Sequence, residues 1–300
     1  MSVIPPARDA LSHQSFPPTV VFGATGRLGR VVRRHWPAAW PVKWVSRSGA
    51  EQSEALDLTT VSAARLGDLL DGAEAVISLA GDVGSKRRSS DAPFEDHVVI
   101  AERLATAAKG VPLFLPSSAA VYGPELAAGG LLSETLPLSA RTSAYGAKKR
   151  DMESTAIDRA VPGSICCLRI GNVAGCDAAL GGWRPGFTLD VFADGRSPLR
   201  SYIGPMLFAE VLAALVLQSA SSSGAGALPP VLNIAQPGAV EMAGLLKAAK
   251  RPFSTRPAPP DAIARVELDV RILTGLVQVP RADTRMIVDD LSRSESLIPN

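Results

Sequence analysis

Six short apolar runs punctuate the chain: TVVFG (19–23), VKWVS (42–46), AVISLAG (75–81), PLFLPSS (112–118), SICCLRI (164–170) and VLNIA (231–235). Longer Ala- and Leu-rich segments of helical period lie between them, over 28–36, 61–70, 98–109, 144–159 and 208–219. A short apolar run without polar alternation is a strand buried on both faces, and strands separated by helices pair in parallel. The pattern therefore predicts a doubly wound α/β fold, a Rossmann-like parallel sheet covered by helices. The alternation fails after VLNIAQPG, where the Pro-rich RPFSTRPAPP and the apolar VELDVRILTGLVQVP suit a smaller lobe. We expect a loose tail at 1–18, a dinucleotide-binding domain at 19–175 and 205–236, and a substrate lobe at 176–204 and 237–300.

The first run leads into GATGRLG, with Gly23, Gly26 and Gly29 between a strand and a helix. Glycines there let the backbone turn tightly and approach a pyrophosphate, whose charge meets the free N–H groups of the helix N-terminus. Thr25, Arg27 and Leu28 complete this candidate cofactor turn. Glycine spacing alone is a weak signal, and a strand-to-helix turn without a ligand is its rival. The second run ends in Ser46, Arg47 and Ser48, where NAD-binding chains place an acidic residue for the ribose 2′-hydroxyl. A guanidinium suits a 2′-phosphate, so Arg47 leans the expectation from NAD to NADP; a solvated or adenine-stacked Arg47 is the alternative.

SAYGAKKR places Tyr145 four residues before Lys149, one helical turn apart on one face. The spacing is only suggestive by itself. Its context strengthens it, because LPSSAAVYG follows a predicted strand and brings Ser118 to the carboxyl edge of the sheet, where open parallel sheets bind ligands.

With the glycine turn, this pattern resembles the extended short-chain dehydrogenase/reductase family, in its NAD-dependent epimerase/dehydratase branch. The resemblance runs through GATGRLG, LDLT, ISLAG, SSAAVYG, SETLPL, SAYGAKKRDME, LRIGNVAG, LRSYIGP and LNIAQPG, in the family's order. It implies Ser118, Tyr145 and Lys149 as the catalytic residues. A phenol is a poor base at neutral pH, and a nearby ammonium and an oxidised nicotinamide both favour its phenolate. Lys149 is expected to supply that charge and to reach the nicotinamide ribose, while Ser118 orients the substrate oxygen. The resemblance also implies Asp57 and Leu58 at the adenine, Leu79, Ala80 and Gly81 along the dinucleotide, and Asn172 and Arg200 on the diphosphate of a nucleotide sugar. A loop-capping amide and a surface ion pair are the rival roles of Asn172 and Arg200. A homodimer is implied by the resemblance alone.

Several positions depart from the family. Its dehydratases carry an Asp-Glu pair after the catalytic hydroxyl residue, because eliminating water needs a further acid and base; Ala119 and Ala120 stand here, so dehydration is not expected. His97 stands where the family usually has asparagine near the catalytic centre. Leu207 replaces an acidic residue, Ser201 replaces an aspartate, and the last lobe is short for a nucleotide-sugar pocket.

The remaining composition excludes other classes. A net charge of +2 from 31 basic and 29 acidic residues creates no field to gather nucleic acid or anionic membrane. The N-terminus reads as neither signal peptide nor anchor, and no stretch reaches the roughly 18 apolar residues of a membrane helix. Cys166, Cys167 and Cys176 form no C-x-x-C and read as small hydrophobes in a reducing compartment. His13, His35 and His97 have no zinc-site spacing, so no metal is expected. The expectation is a cytoplasmic NADP- or NAD-dependent epimerase or oxidoreductase of a nucleotide sugar. An NADP-dependent reductase of a small ketone or aldehyde, and a non-catalytic dinucleotide-binding sensor or assembly factor, are the rivals.

Overall fold

The computed structural model describes residues 17–81, 94–128, 130–221 and 229–294, so nearly all of the expected tail and most of the Ser/Gly-rich connector at 221–230 lie outside the described residues. The chain opens with β1 (Thr19–Phe22), α1 (Arg27–His35), β2 (Val42–Ser46) and β3 (Glu54–Ala55). It continues through α2 (Ala63–Leu70), β4 (Ala75–Ser78), α3 (Glu95–Ala108) and β5 (Leu113–Ser118). A 3₁₀ turn at Ala119–Tyr122 leads to α4 (Gly123–Ala128), β6 (Leu131–Leu132), α5 (Ala144–Arg159) and β7 (Ile165–Ile170). Next come β8 (Asn172–Val173), β9 (Thr188–Val191), β10 (Leu199–Arg200), β11 (Tyr202–Ile203) and α6 (Pro205–Ser221). The last part holds β12 (Val231–Ile234), β13 (Val240–Glu241), α7 (Met242–Ala248) and β14 (Ser254–Pro257). It ends with β15 (Arg265–Leu268), α8 (Arg271–Leu276) and α9 (Thr284–Ser294).

All six apolar runs are strands of one parallel sheet, ordered β12-β7-β5-β4-β1-β2-β3. The seventh, β3, has two residues and a half-exposed edge, too short to leave a pattern in the sequence. Every residue of β1, β4 and β7 is buried, as strands covered on both faces must be. Adjacent side chains divide between two apolar clusters: Val21 and Cys166 face α6, while Val20 and Cys167 face α2, α3 and α5. Both cysteines are free and fully buried, so they act as small hydrophobes. The chain steps outward from β1 to β2 and β3, then returns to β4 on the other side of β1. This reversal opens a crevice at the carboxyl ends of β1 and β4.

A third cluster, centred on Ala174, Leu180, Tyr202, Leu245, Ile287 and Leu291, joins the segments after β7 to α7 and α9. Asp290 of α9 accepts hydrogen bonds from Met206 N (2.8 Å) and Leu207 N (3.1 Å), capping a helix that has proline at its first position. Leu207 itself is buried in the sheet-facing cluster.

A buried ion pair fixes α5 against the sheet. Arg169 of β7 donates to both oxygens of Glu153 (3.0 and 2.7 Å), and Ser117 of β5 donates to the same carboxylate at 2.5 Å. The guanidinium also lies 4.8 Å from the ring centroid of Tyr122, whose hydroxyl donates to Asn233 of β12. Both charged side chains are 5% exposed, so removing one leaves the other desolvated. Glu153→Ala is expected to cost about 3–5 kcal/mol in urea unfolding, whereas Arg141→Ala, which breaks an exposed pair with Glu125, should leave the midpoint almost unchanged.

Candidate active site

The glycine turn is shaped by contact with the neighbouring strand end. Gly23 has φ +79°, and a Cβ there would lie 2.6 Å from both Leu79 C and Ala80 N. Gly29 has no room for a side chain, because a Cβ there would strike the Gly23 carbonyl oxygen and lie 2.8 Å from Ala24 Cα. Gly26 is the N-cap of α1 and supplies no side-chain acceptor to the first turn, which also contains no acidic residue. Its N–H groups and dipole are therefore available to an anion, and this turn with Thr25, Arg27, Leu28, Leu79, Ala80 and Gly81 fits a dinucleotide pyrophosphate.

At the end of β2, Ser46 is buried and closes its own loop, bonding Ser53 Oγ at 2.6 Å and accepting from Gly49 N at 3.1 Å. Arg47 is exposed. Hydrogen bonds from the Thr59 hydroxyl (2.6 Å) and N–H (2.8 Å) hold the Asp57 carboxyl below its ordinary range, with Arg47 and Arg103 adding to the effect. Leu58 is 5% exposed, and its side chain packs in the core with Leu56 and Leu66.

Ser118 ends β5, and its Oγ accepts from Ala120 N at 3.2 Å. Ser143 caps α5 by accepting from Gly146 N at 3.1 Å. A Cβ on Gly146 would lie 2.5 Å from the Ala120 carbonyl and would also strike Thr142 Oγ1, so this glycine lets the start of α5 close on the turn after Ser118. That contact brings Tyr145 beside Ser118. Burial raises the Tyr145 pKa, and a hydrogen bond with Ser118 opposes the rise. The ring packs edge-on against Phe94 (5.4 Å) and His97 (5.9 Å).

Lys149 departs from the expectation in its partners. It is 2% exposed, and its ammonium donates to the Pro116 carbonyl (2.5 Å), His97 Nδ1 (3.2 Å) and Met152 Sδ (3.8 Å). Its polar contacts here are with protein groups. The ammonium lies 5.7 Å from the Tyr145 ring centroid, and the group that draws the phenol's pKa down in this state is Ser118. Burial pushes Lys149 down to about 7, against the charges of Cys167 and Glu153.

Asn172 and Arg200 lie on two short strands beyond the sheet. Asn172 Nδ2 donates to the Ser201 carbonyl at 3.4 Å, which also accepts from Asn172 N at 2.9 Å. Arg200 donates to the carbonyls of Leu199 (2.8 Å), Ile263 (2.8 Å) and Ala264 (3.4 Å). Burial lowers its pKa and Tyr202 opposes this. Among the described residues no carboxylate pairs with Arg200, so it is not held in an ion pair. Ser201 is buried and accepts from Leu268 N at 2.9 Å. Of the partners of Lys149, the resemblance expected His97 near the catalytic centre, whereas Pro116 and Met152 left no signal in the sequence.

No family model matches the chain, and no curated protein matches it. Solved structures do. MoeE5, in complex with UDP-glucose and NAD, superposes with a TM-score of 0.66 at 23% identity, covering 93% of this chain and 99% of that one. UDP-glucose-4-epimerase from Stenotrophomonas maltophila, with bound NAD and formylated UDP-arabinopyranose, gives 0.71 at 20% identity over 94% and 98%. TunA, an NAD-dependent NDP-hexosamine 5,6-dehydratase, gives 0.66 at 18% identity over 92% and 98%. The fold is that of these nucleotide-sugar enzymes. Because a dehydratase shares it, the fold does not exclude dehydration. No helix among the described residues is long and apolar enough to cross a membrane.

The Lys149 environment makes stability depend on pH. An amine whose pKa falls from 10.5 to about 7 on folding is protonated in the unfolded chain and neutral in the folded one between those values. Stability therefore rises with pH over that interval. Thermal midpoints of the cofactor-free protein should climb from about pH 7 towards pH 10, and Lys149→Met should flatten the climb.

Proposed function

We propose that the chain is an extended short-chain dehydrogenase/reductase that binds NAD(P) and acts on a secondary alcohol or carbonyl carbon of a nucleotide sugar, with epimerisation as the favoured reaction. The observation that carries this is the convergence of Ser118, Tyr145 and Lys149 at the carboxyl edge of the sheet, next to a glycine turn that fits a pyrophosphate. The structures that share the fold, and that hold NAD with UDP-sugars, support it. We assign 19–175 and 205–236 to cofactor binding, and 176–204 with 237–300 to the substrate.

Tyr145 takes the proton of the substrate hydroxyl as the alcohol becomes a ketone and returns it when the ketone is reduced from the other face. Ser118 hydrogen-bonds the reacting oxygen and holds it within reach of Tyr145. Lys149 stabilises the phenolate with its positive charge. NAD(P) bound with its pyrophosphate on the glycine turn of Gly23, Gly26 and Gly29 would supply hydride acceptance and return. Asn172 and Arg200, whose guanidinium has no carboxylate partner, hold the diphosphate. Ala119 and Ala120 offer no acid or base for elimination, so dehydration is not part of this reading.

Arg47 favours a second reading, an NADP-dependent reductase of a small ketone or aldehyde, because an exposed guanidinium occupies the place of the ribose-binding acid. A cytoplasmic homodimer completes the proposal. Val99 of α3, Ile157 of α5 and Val161 just beyond it leave apolar side chains exposed on the helices through which the family's dimers pair.

With UDP-glucose as the probe, Tyr145→Phe should lower kcat/KM by about 10²–10⁴-fold while leaving NAD(P) binding, read by thermal shift, in place. Full activity in that variant would overturn the catalytic assignment. Arg47→Asp should weaken NADPH and strengthen NADH binding; no change in preference would remove the case for NADP.

A further inference from the structure

We propose that His97 is a positioning residue for Lys149: a neutral imidazole with its proton on Nε2 accepts the ammonium at Nδ1, and while the pair is singly charged the two side chains share that one proton. The functional consequence rests on the reading of Lys149 as the cation that serves Tyr145.

The arrangement is closed on every described side. His97 is 4% exposed, stacked on Phe94 with ring centroids 6.2 Å apart and edge-on to Tyr145 at 5.9 Å. A Cβ on Gly81 would lie 2.6 Å from Nδ1 and would also strike Cε1, so the ring fills the space of that missing side chain. It thus wedges between the end of β4, where the cofactor cradle begins, and the catalytic helix. The imidazole is held in place and cannot swing off the ammonium without moving one of these neighbours.

Donor counting for a protonated Lys149 favours one tautomer. An ammonium has three N–H groups, and Lys149 directs one each to Pro116, His97 and Met152. Nδ1 must then offer its lone pair, which places the neutral ring's proton on Nε2. A second proton, added at Nδ1, would set two cations 3.2 Å apart in a buried site. The proton can instead lie on either nitrogen, passing between Nζ and Nδ1 with no change in the pair's charge. Among the described residues, the charges facing this pair do not replace that sharing. From α5 come the neutral Tyr145 and Glu153, whose carboxylate is taken by Arg169 of β7; from β7 also comes Cys167, kept protonated by burial. The lowered pKa of Lys149, about 7, lies close to that of an ordinary imidazole, as sharing requires.

An amide at this position, as the resemblance expects, would also accept from Lys149 but would not titrate. Histidine therefore adds a proton-dependent limit: the doubly protonated pair loses the hydrogen bond that aligns Lys149, and turnover falls on the acid side.

Two measurements on the full chain test this. In ¹⁵N imidazole spectra of cofactor-free protein, with His97 identified by its loss in His97→Asn, the ring should be the Nε2–H tautomer at alkaline pH. Its apparent pKa should rise by about one unit or more in Lys149→Met. An Nδ1–H tautomer or an unmoved pKa overturns the proposal. In kinetics with UDP-glucose, His97→Asn should keep kcat within about threefold and move the acid limb at least about one pH unit lower. His97→Leu, which removes the acceptor, should lower kcat about tenfold or more at unchanged KM; an acid limb identical in wild type and His97→Asn overturns the proposal. If the protein neither binds NAD(P) nor turns over the probe, the functional reading fails, and the spectra, which need neither, still decide the His97–Lys149 contact.

Discussion

The Glu153–Arg169 ion pair sets the position on which the rest of the site depends. It joins the middle of α5 to β7, and through Ser117 to β5, inside a volume closed to water. A charged pair in such a place is satisfied in one geometry only, because each lost hydrogen bond leaves a desolvated charge. α5 is therefore held in one rotation and one height against the sheet. Lys149 and Tyr145 lie one and two turns nearer its start, so their positions over the strand ends follow from it. The network continues through Tyr122 to Asn233, whose Nδ2 donates to the carbonyls of Leu132 and Asp269, which links the catalytic helix to strands of the second half of the chain.

Around that anchor, space matters as much as charge. The start of α5 closes on the turn after Ser118 because Gly146 presents no side chain, and β4 closes on the glycine turn because Gly23 presents none. Each contact brings a polar end of one element to the edge of another without a side chain between them. The result is a rigid edge of backbone on the cofactor side and a buried cluster of Tyr145, His97 and Lys149 on the catalytic side. Burial is also what sets the chemistry of the cluster, raising the phenol and lowering the amine so that their values move apart and both groups favour their neutral forms.

Much of this architecture was legible in the chain. The six apolar runs were readable because strands covered on both faces have no polar positions, and α5 because residues 144–159 have helical period. The start of α3 at Glu95 was less visible: its N-cap is Phe94 in a left-handed conformation at φ +69°, which no capping preference anticipates. β3 has too few residues to form a pattern, and the short helices α7 and α8 too few turns. The cap on α6 comes from Asp290, 84 residues away, and local sequence cannot reveal such a partner.

The sequence by itself determined the parallel sheet, the glycine turn at its switch point and the candidate trio Ser118, Tyr145 and Lys149, because hydrophobic period and residue spacing act within one element. Only the tertiary structure decided that Lys149 is buried with His97, Pro116 and Met152 as its partners, that Leu58 belongs to the core, and that Arg200 rests on backbone carbonyls. The physical reason is that period and spacing say which side chains leave water, whereas the partner each one meets comes from a distant segment whose approach is set by packing.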